Sequence, residues 1–113
     1  MHELALSQAI AASVERHADG RHVTRVRVRI GHLRQVVPES LRFSWTLLTE
    51  GSALDGTELL VEHVPAVVAC NDCAEMSTLD LPILVCHACH GHDVTLVSGD
   101  EFLIDSIDVM EVA

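Results

Sequence analysis

Four cysteines in two matched pairs constrain this chain more than any other feature. The first pair is Cys70 and Cys73 in CNDC, and the second is Cys86 and Cys89 in CHAC. Each C-x2-C places two thiols on one tight turn, and the twelve residues between the pairs are enough for a short hairpin. Four thiolates then close a tetrahedral zinc site. Such a site has no open position, which is typical of structural zinc rather than catalytic zinc.

Two other interpretations of the cysteines are considered. Four unrelated buried cysteines would have to fall into identical spacings by chance, and a redox dithiol would need only one of the two pairs. Three histidines, His87, His90 and His92, surround the second pair. We interpret them as solvated loop residues, while metal binding or titration by one of them stays open.

Composition and charge restrict the class of protein. A chain of 113 residues forms one domain, or one domain with a small insert, and 49% hydrophobic residues indicate a globular chain. The formal net charge of −10 disfavours binding to nucleic acid, because phosphate backbones repel such a surface. The apolar stretch 4–14 is interrupted by polar residues and lacks a basic leader, and no apolar run is long enough for a membrane span. We therefore expect a cytoplasmic protein whose cysteines are reduced or metal-bound.

The spacing of apolar residues predicts two helices. Leu6, Ile10 and Val14 lie four residues apart and predict a helix over 3–18, with Ala9 on the same face. A second helix is predicted to begin at Pro38 and to end at Gly51. Its apolar stripe consists of Leu41, Trp45 and Leu48.

Alternation of residue types predicts three strands. In HVTRVRVRIG one face is apolar and the other carries three arginines, a pattern typical of a half-buried strand. A second strand is predicted over 57–64. A third follows Gly99 and has Leu103, Ile107 and Val109 on its main apolar face. Phe102 and Ile104 lie on the other face, so either both faces are covered for part of the strand or a bulge shifts its register. The arginines of the first strand are Arg25, Arg27 and Arg29.

The predicted order of elements indicates an α+β fold. We expect two helices packed on one face of a small three-stranded sheet, with an inserted zinc-ribbon-like module. Residues 1–65 and 98–113 are assigned to the α/β domain, and residues 66–97 to the zinc-binding module.

The chain begins with a chelating sequence. In a Met-His start, the terminal amine, the amide nitrogen of His2 and its imidazole can hold one ion in fused rings, and such a nitrogen-rich set suits Ni(II) or Cu(II). The first amides of a helix have no intrahelical partner, so these nitrogens are available. From the chemistry of these residues alone, an incidental His2 and a Glu3 that only complements the helix dipole stay open.

Four segments together are similar to one known family. The start MHELA, the stretch RVRIGHLRQVVPESLRFSW, the two C-x2-C pairs and SGDEFLIDSIDV near the end occur in the order found in the HypA/HybF family. The resemblance covers essentially the whole chain. It implies a nickel metallochaperone that serves the maturation of [NiFe] hydrogenase and, in some organisms, of urease.

The resemblance also assigns roles to residues. It implies that Met1, His2 and Glu3 form a nickel site and that the four cysteines hold structural zinc, so that the first domain is the nickel-binding one. Many relatives have proline where this chain has His87. The implied partners are a HypB-type nickel GTPase and the hydrogenase large subunit. We expect no binding to nucleic acid or to a membrane, and formation of a homodimer stays open.

The resemblance implies transfer of Ni(II) and no enzymatic activity. No nucleophile–base pair, glycine-rich phosphate loop or carboxylate dyad is visible in the sequence. The main alternative is a zinc-ribbon adapter for protein interaction without a transported metal. A second alternative is a nucleic-acid-binding ribbon that uses the arginine face of the first strand, a face that is more often solvated or paired with acids.

Overall fold

A computed structural model describes residues 2–110, except for the side chain of His2. The described residues form two helices, six strands and one short 3₁₀ turn. In chain order these are α1 (His2–Ala18), β1 (His22–Gly31), the 3₁₀ turn (His32–Arg34), α2 (Pro38–Thr49), β2 (Glu58–Val64), β3 (Ala66–Cys70), β4 (Met76–Leu79), β5 (Val94–Ser98) and β6 (Phe102–Met110). None of the helices in this part of the chain is long and apolar enough to cross a membrane.

The strands form two three-stranded sheets. The first has the order β2-β1-β6, and the second has the order β4-β3-β5. In the second sheet β3 is antiparallel to both neighbours, and a register irregularity against β5 falls between Val67 and Val68. The predicted α+β architecture, with two helices, a three-stranded sheet and a cysteine-bearing insert, is confirmed.

The contacts divide the described residues into two compact units. The first, here called the helical unit, comprises residues 2–28, 36–62 and 103–110. The second, here called the cysteine unit, comprises residues 29–35 and 63–102. The cysteine unit therefore includes the 3₁₀ turn as well as the inserted strands.

The helical unit buries the faces that the apolar spacing predicts. Ile10 and Val14 of α1 and Leu41 and Trp45 of α2 are buried, and the two helices contact each other. Ala9 was expected on the same face but is exposed. Ser7 is buried on α1 instead, because it lies three residues before Ile10 and seven before Val14, which places it on their face of the helix.

Two hydrogen bonds of Thr57 hold the helical unit together near its second helix. The indole Nε1 of Trp45 donates to the carbonyl of Thr57 at 2.8 Å, and the Thr57 hydroxyl donates to the carbonyl of Val23 at 2.7 Å. A buried tryptophan needs a partner for its N–H, and this arrangement provides one. The pair of bonds connects α2 with the starts of β1 and β2.

The last strand differs from its prediction in one respect. Leu103 was expected on the main apolar face but is 42% exposed, while Phe102 and Ile104 are half-buried. Strand side chains alternate between faces, so inward-facing Phe102 and Ile104 direct Leu103 outward. Ile107 and Val109 are half-buried, together with the polar residue between them, so that part of the strand is covered on both faces.

The cysteine unit contains a small buried aliphatic cluster, and Ile30 and Val64 are also buried in this unit. Its buried aliphatic cluster consists of Ala66, Val68 and Leu79, against which Leu33, Val94 and Leu96 pack. Small units with so little apolar burial generally need a metal or disulfides for stability.

Candidate metal centre

The four predicted cysteines come together in the cysteine unit. All four Sγ atoms lie within 4.8 Å of one another. Two of the separations are 3.5 Å between Cys73 and Cys86 and 3.6 Å between Cys70 and Cys89. A disulfide would require about 2.05 Å, so these are four thiols in contact and not two bridges.

The sulfur spacing fits a tetrahedral zinc ion. Zinc–sulfur bonds of about 2.3 Å at tetrahedral angles place neighbouring sulfurs about 3.8 Å apart. Two of the separations in this cluster, at 3.5 and 3.6 Å, are slightly shorter than that value, and none exceeds 4.8 Å. Binding of zinc therefore requires only small movements of the side chains.

The two cysteine turns have the same backbone hydrogen bonds. In the first, the amide of Ala74 donates to the Cys70 carbonyl at 3.1 Å, and the amide of Cys70 donates to the Glu75 carbonyl at 2.9 Å. In the second turn the corresponding bonds are His90 to Cys86 and Cys86 to Gly91, both at 2.9 Å. The C-x2-C spacing thus produces one local structure twice.

Backbone amides also point at the first sulfur of each pair. The amide of Cys73 lies 3.4 Å from the Sγ of Cys70, and the amides of Ala88 and Cys89 each lie 3.4 Å from the Sγ of Cys86. Hydrogen bonds donated to a sulfur stabilise its thiolate form. Thiolate is the form that binds a metal.

The ionisation of the cluster reflects these contacts. The backbone amide of Cys89, together with that of Ala88, lowers the pKa of Cys86 to about 6. The amide of Glu75 lowers the pKa of Cys73. Hydrogen bonds with the neighbouring cysteines, first of all Cys86, and desolvation have the opposite effect, and together they raise the pKa of Cys73 to about 12. Four adjacent thiols cannot all ionise unless a cation compensates their charge, which is what a divalent metal would do.

Side chains outside the cluster hold the turns in place. The amide of Asn71 donates to the Asp93 carbonyl at 2.9 Å, and the Asn71 side chain donates to an Asp93 carboxylate oxygen at 2.9 Å. The buried hydroxyl of Ser77 accepts the amide of His87 at 3.0 Å. These bonds connect the first turn to the start of β5 and the second turn to β4.

The three histidines of the loop lie outside the ligand cluster. His87, His90 and His92 are exposed, and among the described side chains the group of three or more potential metal ligands consists of the four cysteines. This placement agrees with their interpretation as loop residues.

The predicted nickel ligands lie at the very start of the chain. Met1 and the side chain of His2 lie outside the described residues. The backbone of His2 begins α1, and Glu3 is half-buried in the first turn of that helix. The first amides of a helix lack intrahelical acceptors, so the amide N–H groups of this turn point toward the N-terminal end of α1.

The arginine face of β1 is paired with acids. Arg25 contacts Glu58 at 2.6 Å, and Arg27 contacts Asp108 at 2.8 Å. The hydrogen bond between Arg27 and Asp108 raises the pKa of Arg27 and lowers the pKa of Asp108. Ion pairs with the flanking strands neutralise these two arginines, as the acid-paired interpretation of the face predicts.

Comparison with known proteins decides the family. Residues 1–109 match the family described as hydrogenase/urease nickel incorporation, metallochaperone, HypA. The chain belongs to the HypA family. The hydrogenase maturation factor HypA of Geotalea uraniireducens is 36% identical over 109 residues, which are 96% of this chain and 99% of that protein. The HypA of Trichodesmium erythraeum is 32% identical over 113 residues, 100% of this chain and 99% of the relative.

A solved HypA structure has the same fold. The solution structure of the Ni metallochaperone HypA from Helicobacter pylori aligns with a TM-score of 0.64 and 22% identity, over 96% of this chain and 97% of that one. The predicted resemblance to HypA is thus confirmed over the whole chain. The present chain has the four-cysteine cluster described above.

Proposed function

We propose that this HypA family member carries Ni(II) for the maturation of [NiFe] hydrogenase and binds the ion at its N-terminus. The observation that carries the proposal is the match to the nickel-incorporation family from residue 1, together with a helix that begins at His2. The ligands are the α-amine of Met1, the amide nitrogens of the first turn and the imidazole of His2, with Glu3 beside them. This set is rich in nitrogen and suits Ni(II).

A site at the end of a helix suits transfer rather than catalysis. The first turn has few hydrogen bonds of its own, so it frays at little cost. Binding of the ion orders this turn, and contact with a receiving protein releases the ion by opening it. We therefore propose a carrier in which no covalent bond of a substrate is made or broken.

We propose that the four cysteines hold one structural zinc ion. The sulfur spacing, the amides directed at Cys70 and Cys86, and the small apolar core of the cysteine unit support this assignment. A closed set of four thiolates has no position for a transported ion. Zinc and nickel then occupy different parts of the chain.

The proposed partners follow from the family. Its members are named for hydrogenase maturation, and its description includes urease. We propose that the chain works in the cytoplasm with a HypB-type nickel GTPase and delivers to the hydrogenase large subunit, with urease as a second recipient.

The decisive experiment is calorimetric titration of the zinc-loaded, untagged protein with Ni(II). The wild type is expected to bind about one ion tightly, and His2→Ala is expected to abolish this event. His22→Ala, which changes an exposed histidine at the start of β1, is the matched control and should behave as the wild type. Intact mass establishes that Met1 carries the α-amine. Tight binding that persists in His2→Ala would favour the zinc-ribbon adapter instead.

A further inference from the structure

Two histidines of the cysteine unit form a close pair away from the cysteines. The Nδ1 atom of His32 lies 3.0 Å from the Nε2 atom of His63, and the rings meet edge to face with centroids 5.1 Å apart. His32 lies in the 3₁₀ turn, and His63 lies near the end of β2. The two residues are 31 positions apart in the chain, so the fold brings them together.

A backbone carbonyl fixes the tautomer of the neutral His32 ring. Its Nε2 atom lies 2.6 Å from the carbonyl oxygen of Asp80. A carbonyl only accepts, so Nε2 carries the hydrogen and the neutral ring has an unprotonated Nδ1. Donation of one ring N–H to a backbone carbonyl is the usual way in which a metal-binding histidine is oriented.

The distance between the two nitrogens matches that between neighbouring ligands of one ion. With metal–nitrogen bonds of about 2.0–2.1 Å, nitrogens 3.0 Å apart subtend an angle of roughly 91–97° at the metal. This is the angle between adjacent ligands in planar or octahedral coordination, which Ni(II) and Cu(II) adopt with imidazoles. Both side chains reach solvent. When the hydrogen of His63 is on its own Nδ1, its Nε2 has a free lone pair. Each ring can then turn its lone pair toward a shared ion.

We propose that His32 and His63 form a second site for a divalent transition metal, with Ni(II) as the ion of interest. The protein supplies two nitrogens, and the remaining positions are filled by water or by donors of another molecule. Such an open site exchanges its ion more readily than a closed one. The site is separate from the four-cysteine cluster and does not depend on nickel binding at the N-terminus. The net charge of −10 further favours the approach of a cation.

The test uses the full-length, zinc-loaded protein carrying His2→Ala, so that the N-terminal chelate is absent. Ni(II) alone is titrated by calorimetry, and the imidazole signals of the histidines are followed by NMR. We expect one binding event, weaker than that of the N-terminal site, which shifts or broadens the signals of His32 and His63. Adding His63→Gln or His32→Gln should abolish this event without changing the zinc content.

A matched control separates this site from the histidine-rich loop. His92→Gln removes an exposed histidine of the same unit and should leave the event unchanged. The proposal is overturned if the His2→Ala protein shows no binding event, if His63→Gln leaves the event intact, or if His92→Gln removes it. Failure of the N-terminal proposal looks different, because it appears as tight nickel binding that His2→Ala does not reduce.

Discussion

Ala74 and His90 occupy the same position in the two cysteine turns. Each directly follows the second cysteine of its pair, each donates its amide to the carbonyl of the first cysteine, and their φ angles are 66° and 63°. A left-handed backbone is uncommon for residues other than glycine, although histidine is among the residues that adopt it more often. The backbone conformation of the turn thus restricts which residue types fit at position 90 without strain.

We predict that His90→Val destabilises the second turn and that His90→Gly does not. A β-branched side chain is strained at positive φ by about 1–2 kcal/mol, whereas glycine adopts this conformation without strain. The measurement is the free-zinc concentration at which a chelator removes half of the bound metal. His90→Val should release zinc more readily than the wild type.

The matched pair at the first turn distinguishes conformation from chemistry. Ala74→Val should have an effect similar to that of His90→Val, because the two positions have the same backbone conformation. If His90→Gly releases zinc as readily as His90→Val while Ala74→Val does not, the histidine side chain itself supports the metal.

Loss of one ligand should unfold the zinc-binding module, residues 66–97. We predict about one zinc ion per wild-type chain and substantial loss of zinc in Cys73→Ser, because metal binding and folding of a small metal module are coupled. NMR should then show that signals of residues 66–97 collapse, while Trp45 and its neighbours in the helical unit stay dispersed. Stoichiometric zinc in a protein lacking both Cys70 and Cys73 would falsify the four-cysteine assignment.

The cluster could be predicted from the sequence because its chemistry lies in local spacing. Two C-x2-C pairs imply two similar turns, and the structure shows matching hydrogen bonds in both. The helices were predictable for a similar reason, since Ile10 and Val14 or Leu41 and Trp45 repeat at the helical period. Ala9 was misplaced because a small residue carries little information about which face it occupies.

Contacts between distant parts of the chain could not be predicted in this way. No local pattern indicates that His32 meets His63, or that Gly31 lies against Gly99, because each contact depends on how the strands pair. A Cβ atom built on Gly31 would lie 2.0 Å from the Gly99 carbonyl oxygen. Packing therefore requires glycine at position 31 of the RIGH segment. The backbone conformation does not, because a φ of −72° is open to any residue.

We predict that Gly31→Ala destabilises the cysteine unit by at least about 2 kcal/mol, because backbone atoms must move to admit the methyl group. The bonds at risk are those of the Gly31 amide to the Glu101 carbonyl at 2.7 Å and of the Leu33 amide to the Gly99 carbonyl at 2.8 Å. Hydrogen exchange at residues 31 and 33 should accelerate. Gly56→Ala is the control, since a Cβ there meets no atom within 4 Å and the substitution strains only the local backbone, whose φ is 80°. Equal exchange at residues 31 and 33 in both variants would contradict the packing argument.

The ion pair between Arg27 and Asp108 should give the helical unit an acid-sensitive component of stability. The Arg27 hydrogen bond lowers the pKa of Asp108 in the folded protein. A lowered pKa stabilises the fold above the ordinary value of about 3.9, and this contribution is lost as the pH falls through the folded value. Asp108→Asn should therefore reduce the free energy of unfolding at neutral pH, and its difference from the wild type should shrink in acid.

Urea denaturation between pH 3 and 7 measures this difference. The same substitution in an Arg27→Gln background is the control, and there it should have a smaller effect with little dependence on pH. A constant difference between wild type and Asp108→Asn across this range would show that the pair contributes no pH-dependent stability.

An extension before Met1 provides a sharp test of the proposed nickel site. A Gly-Ser extension converts the α-amine of Met1 into an amide and moves the new amine away from His2, yet it retains every side chain. It should weaken nickel binding about as much as His2→Ala does, and a histidine-free extension at the C-terminus should have no effect. Acid should weaken binding by the wild type as well, because the amine, with an ordinary pKa of about 7.7–8.0, must lose a proton to the metal. Calorimetry on the untagged and extended proteins measures both effects. Equal nickel affinity in the two proteins would rule out the amine as a ligand, and the site would then have to be built from side chains.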